Sequence, residues 1–210
     1  METEEIREKK EPKRLPVWAC ILLFALGLFV CMGLYGTIGF GLLSLILGDE
    51  ARHPGLLVYT VTEANMLLSV LTPAVILLYF ERRPFSDLGL TLKGHVRGLW
   101  YGLLVAMLLY LIGFGLSLAI GEVEVTGFQF DPLNLLGTFV FCLLVALTEE
   151  IMMRGYILGR LLHTRMNKFL ALFVSALLFA LLHIFNPNVA FLPMLNLVIA
   201  GISRRPSGLR

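Results

Sequence analysis

Two adjacent glutamates and an arginine lie in an apolar stretch that is long enough to cross a lipid bilayer. They are Glu149, Glu150 and Arg154, which fall within six residues of one another. A charged side chain at the centre of a membrane helix costs about 2.5–3.5 kcal/mol on insertion scales, and such a residue is functional by default. The sequence therefore indicates a site that performs chemistry inside the membrane.

Helical spacing predicts different roles for the two glutamates. Glu150 and Arg154 are four residues apart, so on an α-helix they face each other, neutralise each other's charge and order the site. Glu149 lies about 100° round the helix and has no basic residue four positions away. A carboxylate without a cationic partner in a low-dielectric medium is suited to act as a general base or acid.

The next apolar stretch carries Ser175, Phe179 and His183 at intervals of four residues, so they line one face of a predicted helix. A single histidine on an apolar helix is most often a structural group whose hydrogen bonds are satisfied. Its depth in the membrane favours a functional interpretation here.

The expected depths of Glu149 and His183 are nearly the same. If the helix that carries Glu149 continues to Leu162, a rise of about 1.5 Å per residue places Glu149 about 20 Å from the Leu162 end. The same rise places His183 about 22 Å from Lys168, at the corresponding end of the next helix. Antiparallel neighbouring helices would bring the two side chains to one level. Such a pair could activate a water for attack on a carbonyl, or Glu149, Glu150 and His183 could hold part of a divalent metal site, for example for Zn²⁺.

Three further polar residues lie in apolar stretches, namely Glu63, Asn65 and Asn196. Taken singly, each is expected to be a helix-packing group. Asn196 could also donate a hydrogen bond to a developing oxyanion.

The composition predicts an all-α integral membrane protein. Hydrophobic residues make up 58% of the 210 residues and charged residues 15%, whereas soluble domains have about 45–50% and 25%. Six membrane-spanning helices are predicted, at about 17–47, 56–80, 99–120, 132–162, 169–185 and 189–202.

Basic residues support this count and give an orientation. Along the chain, the N-terminal tail, the successive connecting stretches and the C-terminal tail contain 5, 1, 4, 0, 4, 0 and 3 lysines and arginines, where the fifth count covers the stretch from Arg154 to Lys168 and so includes the end of the fourth predicted span. Basic residues mark the cytoplasmic side, so both termini are predicted to be cytoplasmic. The chain then divides into a charged tail (1–16), a transmembrane domain (17–202) and a short basic tail (203–210). The connector 81–98 is expected to hold a short interfacial helix.

The motif EE-x-x-x-R-G (Glu149 to Gly155), followed by F-x-x-x-H (Phe179 to His183) on the next helix, resembles the CPBP family. These are the CAAX prenyl protease and bacteriocin-processing (Abi) intramembrane proteases. Ser175 and the stretch from Asn196 to Gly201 are also similar to that family, and the resemblance covers about residues 85–201.

The resemblance implies an endopeptidase with its site inside a helical bundle. Glu149 would activate the attacking water, Glu150 and Arg154 would support the site, and His183 would help to hold that water or a metal. Ser175, Phe179 and Asn196 would be supporting residues. The expected partners are membrane lipid and a membrane-associated peptide or protein substrate, with no nucleic acid, and the expected location is a bacterial plasma membrane.

The chain departs from the family pattern in one respect. The family carries a second histidine, followed four residues later by asparagine or a similar residue, on a later helix. No histidine follows His183, and an apolar stretch gives way abruptly to a basic one near residue 202. We therefore expect a truncation or frameshift there. The alternatives are a non-catalytic immunity or scaffold protein of the same fold and a transporter or proton relay.

Overall fold

The computed structural model describes residues 15–53, 55–90, 94 and 96–184, and all regular structure in these ranges is helical. The all-α prediction is confirmed. The principal helices are α1 (Val17–Leu47), α2 (Leu56–Phe80), α3 (Val96–Ala119), α4 (Pro132–Leu162) and α5 (Lys168–Leu182).

Four of these helices, α1 to α4, are long and apolar enough to cross a membrane. They coincide closely with the first four predicted spans. The predicted fifth span is the shorter apolar helix α5, which has 15 residues. The predicted sixth span, the tail 203–210 and nearly all of the tail 1–16 lie outside the described residues. The count of six crossings and the cytoplasmic placement of the termini thus remain predictions.

Side-chain caps fix where α4 and α5 begin. The Asp131 carboxylate accepts hydrogen bonds of 3.1 Å from the backbone N–H groups of Leu133 and Asn134, and Pro132 occupies the first turn. The Asn167 side-chain oxygen accepts from the N–H of Phe169 at 2.9 Å. Both patterns satisfy N–H groups that a helix cannot satisfy internally. Since each cap sets the start of a helix, it also sets the depth of every side chain along it.

The middle of α4 is a π-helix. Residues Glu150–Leu158 have this geometry, with regular α-helix before and after them. A π-helix bonds each N–H to the carbonyl five residues earlier, is rare, and occurs frequently at functional sites. Seven of its nine residues are buried, so this segment also forms the centre of the hydrophobic core.

The core lies between α1, α2, α4 and α5. Tyr156 is almost completely buried and its ring stacks on Phe24 of α1 with centroids 4.3 Å apart. Val70 and Ala74 of α2 are fully buried in the same cluster. In contrast, no residue of α3 is buried against the rest of the described chain.

The connector after α2, where a short interfacial helix is predicted, contains one short 3₁₀ helix, Phe85–Leu88, among its described residues. Residues 91–93 and 95 of the connector lie outside the described residues. The Phe85–Leu88 turn lies against the π-helix, because a Cβ atom at Gly155 would be only 2.6 Å from the Leu88 carbonyl oxygen. Glycine is needed at this position for the two backbones to approach so closely.

A group of charged side chains joins α1, α2 and α4 at one end of the bundle. Glu81 forms an ion pair with Arg160, lies 3.9 Å from Arg83, and accepts a hydrogen bond from the Cys20 thiol at 2.8 Å. The guanidinium of Arg160 also lies over the Tyr156 ring, 5.1 Å from its centroid. We call these residues the Glu81 cluster.

Candidate active site

The structure brings Glu149 of α4 and His183 at the end of α5 into contact. The carboxylate Oε1 of Glu149 lies 3.4 Å from Nε2 of His183, and both side chains are partly exposed. The two residues are 34 positions apart in the sequence, so the antiparallel packing of their helices creates this pair.

The end of α5 fixes the orientation of the histidine ring. The backbone N–H of His183 bonds to the carbonyl of Ala180, which leaves the Phe179 carbonyl without its usual helical donor. The Nδ1 of His183 lies 2.9 Å from that Phe179 oxygen. Because a carbonyl only accepts hydrogen bonds, Nδ1 must carry a proton. The Phe179 ring also makes an edge contact with the imidazole, with centroids 4.5 Å apart.

This tautomer directs Nε2 of His183 at the Glu149 carboxylate. If Nε2 were unprotonated, its lone pair would face a lone pair of the carboxylate oxygen. The 3.4 Å contact is therefore favourable only when one proton is bound to the pair or a cation lies beside it. The geometry suits a group that accepts and returns a proton.

Glu150 and Arg154 form an ion pair within the π-helix. Both side chains keep a substantial exposed fraction, 44% and 33%. Their opposite charges compensate each other next to Glu149, which lowers the cost of placing three ionisable groups in one membrane segment.

The supporting residues predicted from the sequence occupy different positions. The buried Ser175 donates a hydrogen bond of 3.2 Å to the Met153 carbonyl, so it fastens α5 to the π-helix. Phe179 orients His183 through its carbonyl and its ring. Asn196 lies outside the described residues.

A catalytic zinc takes three protein ligands and one water. Glu149 and His183 supply two donors, and the Nδ1 bond to Phe179 is the kind of outer contact that ligating histidines make. Among the described residues, however, no three His, Cys, Asp or Glu side chains lie close enough together to hold a metal. This part of the site does not fit a complete zinc site, and we derive no step through a metal.

Two features of the site have no clear signal in the sequence. The first is the π-helical geometry of Glu150–Leu158, and the second is the Ser175–Met153 hydrogen bond that attaches α5 to it. The Gly155 of the EE-x-x-x-R-G motif is a partial signal, because a glycine within an apolar helix often marks a close backbone approach.

Residues 131–205 match the family described as Rce1-like, type II CAAX prenyl endopeptidase Rce1-like. This region is just over a third of the chain and contains both α4 and α5, and hence both motifs. No curated protein and no solved structure matches. The match confirms the family resemblance indicated by the two motifs: residues 131–205 are similar to the Rce1-like type II CAAX prenyl endopeptidases.

Proposed function

We propose that this protein is an intramembrane endopeptidase of the CAAX type, which cleaves a membrane-associated peptide or protein with a water activated by Glu149. The observation that carries the proposal is the contact between Glu149 and His183 within the region that matches the family. It joins a carboxylate and an imidazole of fixed orientation at the junction of two apolar helices.

The reaction follows from the proton positions of this pair. The Glu149 carboxylate takes a proton from a neighbouring water as that oxygen bonds to the scissile carbonyl carbon. The carbon–nitrogen bond then breaks, and the leaving amine nitrogen receives the proton from Glu149. His183 presents Nε2 to the carboxylate and shares that proton, while its Nδ1 stays bound to the Phe179 carbonyl.

Glu150 and Arg154 act on the site through charge. Their ion pair follows the working carboxylate directly in the chain and adds no net charge to the membrane segment. In a medium of low dielectric constant, a fixed pair of this kind orders its surroundings more than it adds binding energy. We propose that both are positioning residues.

Cleavage of a membrane-tethered peptide by the purified protein in lipid vesicles tests the proposal. Glu149→Gln preserves the shape of the side chain but cannot accept the proton, so cleavage should fall by about 10²–10⁴-fold. The thermal midpoint of the detergent-solubilised variant should equal that of the parent. Glu122→Gln, at an exposed position between α3 and α4, is the matched control and should cleave normally.

Two outcomes would overturn the assignment. Normal cleavage by the Glu149→Gln variant would exclude Glu149 as the base. Failure of the parent protein to cleave any tethered peptide would favour the non-catalytic scaffold of the same fold. A chelator distinguishes metal-independent from metal-dependent cleavage. Cleavage that depends only on Glu149 and His183 should continue when the chelator is present.

A further inference from the structure

A cavity of about 260 Å³ lies between α1 and α2, away from the helices that carry Glu149 and His183. All of its lining residues belong to α1 and α2, and they include Glu63 and Asn65. Nothing in the proposed peptidase chemistry uses either residue.

Glu63 is an ionisable residue in a helix that is long enough to cross the membrane. It lies seven residues into α2, about 10 Å from the Leu56 end. Its carboxylate makes no hydrogen bond or ion pair with any residue that the structure describes, and it is only partly exposed. An ionisable residue within a membrane-spanning segment is unfavourable, and its default interpretation is a functional site.

The other polar groups of the cavity favour a ligand that donates hydrogen bonds. The hydroxyls of Thr62 and Ser69 donate to carbonyls of their own helix at 2.8 and 2.7 Å, so lone pairs remain for accepting. The Asn65 amide is pressed against Gly39, where a Cβ atom would lie 1.9 Å from its Nδ2. The cavity thus combines one negative charge with several acceptors.

The remaining wall is apolar and polarisable. Met32, Phe40 and Met66 contribute thioethers and an aromatic ring, which suit an alkyl chain and attract a nearby cation. No lysine, arginine or histidine is among the residues that line this cavity.

From these groups we infer that the cavity binds a primary alkylammonium group, as carried by a lysine side chain of a membrane peptide or by an aminophospholipid. The ammonium would lie against the Glu63 carboxylate and the alkyl chain against Met32 and Phe40. This inference is independent of the peptidase proposal, since it concerns binding alone.

Thermal unfolding of the full chain in detergent tests the inference, with n-hexylamine as the probe. At pH 7 this amine is protonated, since alkylamines titrate near the lysine value of about 10.4. The amine should raise the thermal midpoint of the parent in a saturable manner. n-Hexanol, which has the same alkyl chain, and NaCl at equal concentration should not. Glu63→Gln should remove the response to the amine.

A pair of glycine variants gives a second test that keeps the Glu63 charge. Gly36 lines the cavity and Gly33, one turn away, does not. A Cβ atom would meet nothing within 4 Å at either position, so both accept a side chain. Gly36→Leu should fill the cavity and abolish the amine response, whereas Gly33→Leu should retain it.

Three results would overturn the inference. The first is a shift of the thermal midpoint by NaCl equal to that by n-hexylamine, which would indicate an inorganic cation site. The second is an undiminished response of Glu63→Gln to the amine. The third is no response of the parent protein to the amine. Two further comparisons distinguish the two possible sources of the ammonium group. A lysine peptide is compared with its acetyl-lysine analogue, and phosphatidylethanolamine vesicles are compared with phosphatidylcholine vesicles. Stabilisation by either ammonium source supports the assignment, and stabilisation by neither contradicts it.

Discussion

Glu149 and Glu150 are neighbours in the chain but meet different partners. Glu150 pairs with Arg154 on its own helix, and Glu149 contacts His183 on the next one. The first pairing follows from helix spacing alone, and the second from comparing depths on two helices. Which ring nitrogen of His183 donates to the backbone could not be predicted. It depends on where α5 ends and therefore on which carbonyl lacks a backbone donor.

The two nitrogens of His183 can be tested separately. His183→Asn places an amide N–H near the former Nδ1, so it can still bond to the Phe179 carbonyl, but it removes Nε2. We expect peptide cleavage to fall by about 10²-fold or more, because the proton-sharing partner of Glu149 is lost. The thermal midpoint should change little. Cleavage in vesicles and unfolding in detergent measure the two effects.

Phe179→Leu is the control for this variant. It retains the backbone carbonyl and most of the apolar volume but loses the ring contact, which is typically worth about 0.5–1.5 kcal/mol. Cleavage should fall by about tenfold at most. Normal cleavage by His183→Asn, or an equal loss in both variants, would contradict a specific role for Nε2.

At the scale of elements, the positions of the helices were predictable and the internal geometry of α4 was not. Hydropathy gives α1 and α2 with the bounds observed, and Pro132 marks the beginning of α4. The π-helix of Glu150–Leu158 leaves no comparable pattern, because the i, i+4 pair of Glu150 and Arg154 and the apolar residues around it are equally compatible with a regular α-helix. Its geometry depends on tertiary packing, including the close approach of the Phe85–Leu88 turn.

Two glycines of α4 provide a matched test of this approach. At Gly155 a Cβ atom would lie 2.6 Å from the Leu88 carbonyl oxygen, whereas at Gly159 the nearest atom is the Asp87 oxygen at 3.7 Å. Gly155→Ala must displace the backbone of the turn and should cost about 1–3 kcal/mol. Gly159→Ala should be neutral or stabilise by up to about 1 kcal/mol, because alanine favours a helix.

Thermal unfolding in detergent compares these two variants directly. If the contact of the Phe85–Leu88 turn with Gly155 also positions the active site, the Gly155→Ala variant should cleave the tethered peptide more slowly than the Gly159→Ala variant under conditions where both remain folded. Equal midpoints for the two variants would show that the turn is free to move away from α4.

At the scale of the whole molecule, the Glu81 cluster shows how the helices are joined. Cys20 lies near the start of α1, Glu81 follows the end of α2, and Arg160 is near the end of α4. These ends meet at one side of the bundle, which is the arrangement that the predicted alternate crossings would give. The distribution of basic residues predicts that this side is cytoplasmic. The individual contacts could not be predicted, because Glu81 and Arg160 are far apart in the chain and no spacing rule connects them.

The ion pair of Glu81 and Arg160 is the most buried one among the described residues, with side-chain exposures of 10% and 5%. Removing one partner of a buried pair typically costs about 3–5 kcal/mol, because the other charge is left uncompensated. Glu81→Met should be the more damaging single change, since Arg160 then has no carboxylate partner in the described part. Arg160→Met leaves Glu81 with Arg83 at 3.9 Å, which offsets some of the loss.

The double variant Glu81→Met/Arg160→Met separates a charge effect from a packing effect. It replaces both ions with apolar side chains of similar length, a change that is often neutral or stabilising. We expect it to be more stable than either single variant when unfolding is measured by titrating the protein in mild detergent with a denaturing detergent.

Arg165→Met, at an exposed position, is the control and should change the free energy of unfolding by no more than about 0.5 kcal/mol. A double variant as unstable as the sum of the two single changes would instead mean that the side chains stabilise the bundle independently. In that case, the stability of the contact between α2 and α4 would depend on side-chain packing and not on the ion pair.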